Sequence, residues 1–147
     1  MNAPEEALSI LCAEHEASLG TVEDGKPYVS AVGYVYRPAP EGGLGRLYLL
    51  LSDLARHSKN LARSSQASLL ILEKKEGVPV HETRRMSLQG KVARVADAAF
   101  FASLKKEYLQ LFPRSEMFFQ LPDFRFYEMT PEEIHWIGGF GKAGTFR

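Results

Sequence analysis

The residues best equipped for chemistry are crowded into Ser52-Asp-Leu-Ala-Arg-His-Ser-Lys-Asn60, directly after the apolar run 47–51. That run has the length of a strand inside a sheet. Ser52, Asp53 and Ser58 are all capable N-caps for a following helix that turns Leu54 and Leu61 toward a core. A strand feeding a helix whose first turn carries Arg56 and His57 is a physical recipe for an anion site. Free backbone N–H groups, the positive end of the helix dipole and the arginine fork converge on one place. Phosphate is the expected guest, and a solvated helix face is the alternative. An ordinary histidine is cationic only near or below a pKa of about 6.5, which would make such a site pH-sensitive.

Other chemistries have less to work with. The chain contains no Gly-x-Ser-x-Gly, no paired Cys and His and no His-Glu-x-x-His, so no catalytic nucleophile or metal ligand set is assigned. The single cysteine, Cys12, excludes an intrachain disulfide and a cysteine-cluster metal site. Lys plus Arg equals Asp plus Glu at 18 each, so no global field draws in nucleic acid or an acidic membrane. No apolar run approaches a membrane span and no leader pattern is present, so the expected compartment is the cytoplasm. At 147 residues, 45% hydrophobic and 24% charged, one domain over residues 1–147 is expected.

The elements that must hold the corner follow from pattern. Residues 3–14 form a short helix with Ala7, Leu8, Leu11 and Cys12 on its stripe. Asp24-Gly25 signals a hairpin turn. In the arm after it, Tyr28, Ser30, Val32 and Tyr34 share one face, and Val29, Ala31, Gly33 and Val35 the other. Residues 67–72 form a continuous buried strand, and 84–95 a long strand bulged at Gly90. Asp97 caps a helix over 98–111 with Phe100, Phe101, Leu104, Tyr108 and Leu111 on its apolar side; Pro113 ends it. Phe118 and Phe119 fall in a loop, 124–129 is a strand, Thr130-Pro-Glu-Glu133 starts a helical turn, and 134–141 is the last strand. Strands joined mostly by turns, with few helices, make a mainly β fold: a closed or nearly closed antiparallel barrel with flanking helices.

Asp24-Gly-Lys-Pro-Tyr-Val-Ser30, Leu51-Ser-Asp-Leu-Ala-Arg-His-Ser-Lys-Asn-Leu61, Arg85-Met-Ser-Leu-Gln-Gly90 and Trp136-Ile-Gly-Gly-Phe-Gly141 occur in that order. Together they resemble the FMN-binding split β-barrel family of pyridoxamine 5′-phosphate oxidase, over nearly the whole chain. The last segment is most similar to the haem-utilisation branch, whose members bind flavin, haem or both. The resemblance implies that the corner holds the FMN phosphate on Ser52, Arg56 and His57. It implies that Val29, Ser30 and Ala31 pass close to the flavin ring or ribityl chain. Arg85 matches a polar residue that reaches the cofactor, and Trp136 is placed to flank the isoalloxazine or to fill the core. Departures accompany the match. Flavin oxidases tend to carry Arg-Lys where this chain has Arg56-His57, and the tail Lys142-Ala-Gly-Thr-Phe-Arg147 lacks the histidine of the haem-degrading relatives. The C-terminal Arg-and-His substrate segment of pyridoxamine phosphate oxidation is also missing.

The expected function is an FMN-binding flavoprotein that oxidises or reduces a small substrate. The alternatives are a haem-binding or haem-degrading protein, or a flavin or haem carrier without turnover. A homodimer with the cofactor at the subunit interface is expected, because one small barrel cannot wrap both a phosphate and a flat tricyclic ring. Residues 29–35, 69–72 and 124–140 supply the interface, which at obligate size buries upwards of about 2,000 Å². If Trp136 faces the core, His135 faces solvent or a subunit contact.

Overall fold

The computed structural model describes residues 4–139 and 141–147. Ala3, within the expected first helix, and Phe140, within the closing motif, lie outside the described residues. Helix α1 (Glu5–Ala13) buries Ala7, Ile10 and Leu11, whereas Cys12 is exposed. Strand β1 (Glu16–Glu23) turns through Asp24-Gly25 into β2 (Lys26–Arg37). Both turn residues have positive φ, 49° and 78°, as in the two-residue turn whose twist suits a hairpin. Then come β3 (Arg46–Ser52), α2 (Arg56–Arg63), β4 (Gln66–Leu72) and β5 (Arg85–Arg94). Helix α3 (Ala98–Leu111), a single turn α4 (Glu116–Phe119), β6 (Phe124–Ile137) and β7 (Ala143–Phe146) complete the order.

The strands lie in the order β3-β2-β1-β4-β5-β6-β7, every pairing antiparallel, and a further β3–β6 ladder closes the ring. Strand β6 is long enough to serve two partners on one edge. Its first half pairs with β3 and its second half with β7, while β5 runs along its other side. Inward residues such as Leu19, Tyr34, Leu49, Leu69, Met86 and Ile134 fill the barrel. A second core lies outside the wall, where Leu104 and Tyr108 of α3 cover Val35, Tyr48, Leu50 and Phe126. The Asp97 carboxylate accepts from the Phe100 N–H at 2.8 Å and caps α3.

Several expectations are corrected. β4 alternates: Ala67, Leu69 and Ile71 are buried, but Leu70 and Leu72 each stand 39% exposed. Thr130-Pro-Glu-Glu133 is no helix start but the middle of β6. There the register slips between Gln89 and Gly90, so Gln89 faces Glu133 while Gly90 faces Pro131. A β-carbon at Gly90 would run into the Thr130 carbonyl, and Pro131 has no N–H to give the ladder. Pairing with β5 overrides the local helix signal. Phe118 and Phe119 sit in α4 rather than a loop. The last strand stops at Ile137 and the chain returns as β7, an element the glycine-rich tail did not signal.

One gap in the wall matters for function. β2 pairs with β1 over residues 26–33 but with β3 only from Tyr34 to Arg37. Among the described residues no strand covers the β3-side edge of residues 26–33, and α2 packs against β1 and β2 here.

Candidate functional site

Helix α2 starts at Arg56 with Ala55 as N-cap, and no side chain caps it, contrary to the expected Ser52, Asp53 or Ser58. Each of those three is engaged elsewhere. Ser52 Oγ donates to Asp123 at 2.5 Å and accepts from the Leu54 N–H at 3.1 Å. Ser58 Oγ donates to the Ser52 carbonyl at 2.6 Å, tying the helix back to the strand. Asp53 accepts from Arg94, Arg125 and the Tyr127 hydroxyl at 2.8, 2.7 and 2.6 Å. Partial burial pushes the Asp53 carboxyl up, but the hydrogen bonds from Tyr127 and Arg125 outweigh it and hold the group below the usual range. Buried Asn60 donates to Thr21 at 3.0 Å and fixes α2 on the end of the barrel.

On this clamped helix His57 faces β2, its Nδ1 2.9 Å from Ser30 Oγ. Nε2 is buried and has no partner. Burial also pushes the imidazole pKa below its ordinary value, so the ring is neutral at neutral pH. In the tautomer where Ser30 donates to Nδ1, Nε2 carries the hydrogen and is an orphaned donor; in the other it is an orphaned acceptor. Leaving such a group unsatisfied costs roughly 1–3 kcal/mol, which marks a place where a hydrogen-bonding group of a ligand belongs. Arg56 is the adjacent cation. Its Nη2 and Nε donate to Glu23 at 2.6 and 3.2 Å, and its guanidinium lies 4.5 Å from the Tyr28 ring centroid. Arg63 pairs in the same way with Asp24 at 2.8 Å.

The structure thus brings Ser30 to His57 and holds Arg56, one residue earlier on α2, on Glu23 and Tyr28, while Ser52 Oγ is turned to Asp123 and Leu54. Val29 and Ala31 project from the opposite side of β2, Val29 with 66% of its surface exposed. Arg85 is elsewhere: it donates to the Val80 and Thr83 carbonyls at 2.6 and 3.0 Å and stands opposite Leu72 and Ile137. Strand β4 meets β1 with Leu70 opposite Ser18, so its Leu72 end is remote from Thr21 and Glu23, where α2 sits. Trp136 turns inward against the core, beside Met86 and Gly144. Sequence reasoning missed Glu23 and Tyr28. Adjacent acids at a hairpin tip are visible in the sequence, but which cation they meet depends on where α2 docks.

Outside the barrel a groove of about 650 Å³ runs from Val29 over Gly20 and Ser68 to Gln89 and Glu133. A hollow of about 410 Å³ continues it past Leu70 and Ser87 to His135. His135 is exposed, opposite in facing to Trp136, and its Nδ1 lies 2.9 Å from Thr145 Oγ1. Among the described residues no His, Cys, Asp and Glu side chains gather as for a metal ion, and no helix is long and apolar enough to cross a membrane.

Residues 1–146 match the family model described as CREG, beta-barrel. The chain belongs to the CREG β-barrel family. No curated protein matches this CREG-family chain in sequence. Solved structures share its split barrel. Over 99% of its length it aligns with 59% of the haem-binding protein from Mycobacterium smegmatis, at TM-score 0.81 and 24% identity. It covers 98% of a putative pyridoxamine 5′-phosphate oxidase from Listeria innocua with 92% of its own length, at TM-score 0.69 and 17% identity. A FAD-binding protein from Mesorhizobium loti is covered to 94% by 97% of the chain, at TM-score 0.70 and 15% identity. At these identities the CREG-family barrel shares a fold with both haem- and flavin-binding proteins.

Proposed function

We propose that this CREG-family chain is a cytoplasmic FMN-binding flavoprotein that oxidises or reduces a small molecule, with the cofactor held between two copies. The observation that carries the reading is the orphaned Nε2 of His57, beside Ser30 and Arg56 at an uncovered strand edge. A phosphate ester suits these groups. Arg56 supplies the charge, neutral His57 a directed N–H, and the first turn of α2 free backbone donors. Residues 29–31 offer backbone along the open edge and an apolar surface for a ring. Bound there, flavin supplies electron or hydride transfer, and the protein supplies position and charge. Arg85 and Trp136 take no part in holding the phosphate end from their places in the fold.

Titration with FMN, followed by flavin fluorescence and melting temperature, tests this. Quenching and a raised melting temperature are expected, with Arg56→Ala weakening binding about ten- to a hundredfold. Colourless protein whose spectrum and melting temperature ignore excess FMN removes the reading. A haem-binding reading rests on a different residue. His135 is fixed through Nδ1 by Thr145, which leaves Nε2 free at the end of the outer groove. A Soret band on adding haem, lost in His135→Ala, would favour it. Carriage without turnover is the third possibility, and assay of substrate consumption by the loaded protein separates it from catalysis.

A further inference from the structure

The proposed phosphate corner is already neutralised by the protein itself. Arg56, the cation of its first turn, is bound through two nitrogens to one carboxylate of Glu23 and laid against Tyr28. Glu23 is the last residue of β1, on the arm of the hairpin whose other arm carries Ser30. Nε2 of His57 is sealed from solvent, so a ligand oxygen reaches it only after a neighbouring side chain moves. Arg56 precedes His57 on α2, and its side chain, 59% exposed, is held at its tip by Glu23. We propose that Glu23 is a selectivity latch, which lets the corner take a phosphate monoester dianion by exchange and leaves it closed to monoanions.

The reasoning is an exchange argument that rests on the phosphate reading of the corner. Replacing one carboxylate on a guanidinium by another gains nothing, and chloride makes a poorer partner still. A phosphate monoester carries nearly two charges at neutral pH and three acceptor oxygens. It can hold the Arg56 fork and also satisfy His57 Nε2, which Glu23 leaves bare. The latch is weak enough to open, because an exposed ion pair contributes little.

Wild type, Glu23→Gln, Arg56→Ala and the double variant are titrated with FMN and, separately, with inorganic phosphate at low and high chloride. In Glu23→Gln, FMN and phosphate are expected to bind about five- to tenfold tighter, and chloride to compete more strongly than in wild type. In the Arg56→Ala background the Glu23→Gln gain should fall to twofold or less. Glu23→Gln that leaves both affinities unchanged or weakens them overturns the latch, as does an equal gain with Arg56 absent. If FMN binds neither protein but phosphate binds Glu23→Gln more tightly than wild type, the latch stands and the flavin reading fails. If neither probe binds any variant, both fall.

Discussion

Around Val35, Tyr48 and Phe126 the outer wall of the barrel is closed by α3, whereas around Val29, Leu70 and Leu72 the same wall faces solvent. The strands are continuous between the regions, and so is the alternation of side chains. What differs is the cover. The closed region is aromatic: Phe126 meets Phe101 and Tyr108 edge-on at 5.3 and 5.8 Å, and α3 brings its own apolar stripe to them. In the open region the floor is small and polar, Gly20, Ser18, Ser68 and Ser87, with leucines and a valine standing along it. A monomer gains nothing from those exposed apolar side chains; a second copy laid across them would bury them and wall the corner.

The largest contrast is in stability. Phe126→Ala, at a site with no exposed surface, is expected to cost about 3–5 kcal/mol in urea unfolding. In an isolated copy Leu70→Ala, at a residue 39% exposed, should cost much less, about 1 kcal/mol. A large cost for Leu70→Ala that grows with protein concentration would show that the open region is covered by another copy.

Assembly sharpens the same contrast. Light scattering at micromolar concentration is expected to give twice the 16.5 kDa chain mass for the wild type. Leu70→Glu should return the monomer mass, since it places a charge in the centre of the proposed interface. Wild type at the monomer mass, with or without FMN, removes the shared-site model.

How much of this was legible follows from what sequence can express. The hairpin, the bulge at Gly90 and helix α3 with its Asp97 cap carry local signals and stand where expected. The strand-to-helix order of the corner also holds, but the helix starts uncapped at Arg56 and Leu54 is exposed instead of facing a core. Thr130 to Glu133 misled because capping residues speak only for a helix, while the ladder with β5 acts over long range. At the corner the residue types were visible and their partners were not. His57 meets Ser30 and Arg56 meets Glu23 across sequence separations of 27 and 33, set by the docking of α2 on the β1–β2 hairpin. The same docking explains why a histidine expected as a pH-dependent cation is instead a half-buried ring whose pKa burial holds below the ordinary value.

That ring gives the smallest expected effect, and it distinguishes the corner from the α3 side. Beneath α3 the tyrosines 48 and 108 are pushed up to about 12 chiefly by burial, so neither changes charge between pH 8 and 5. His57 does the opposite, its folded pKa lying below the unfolded value of about 6.5. As pH falls through about 6.5 the unfolded chain takes up a proton that the folded chain refuses, so stability is lost until the folded pKa is reached and then levels off. Above about pH 7 both states are neutral and the loss vanishes. In His57→Asn, whose amide can keep the bond to Ser30 without titrating, the fall in melting temperature below pH 6.5 should shrink. Equal acid dependence in the two proteins would mean that His57 is hydrated in the folded chain. In that case Nε2 is no orphan, and the corner loses the feature that most sets it apart from the sealed core under α3.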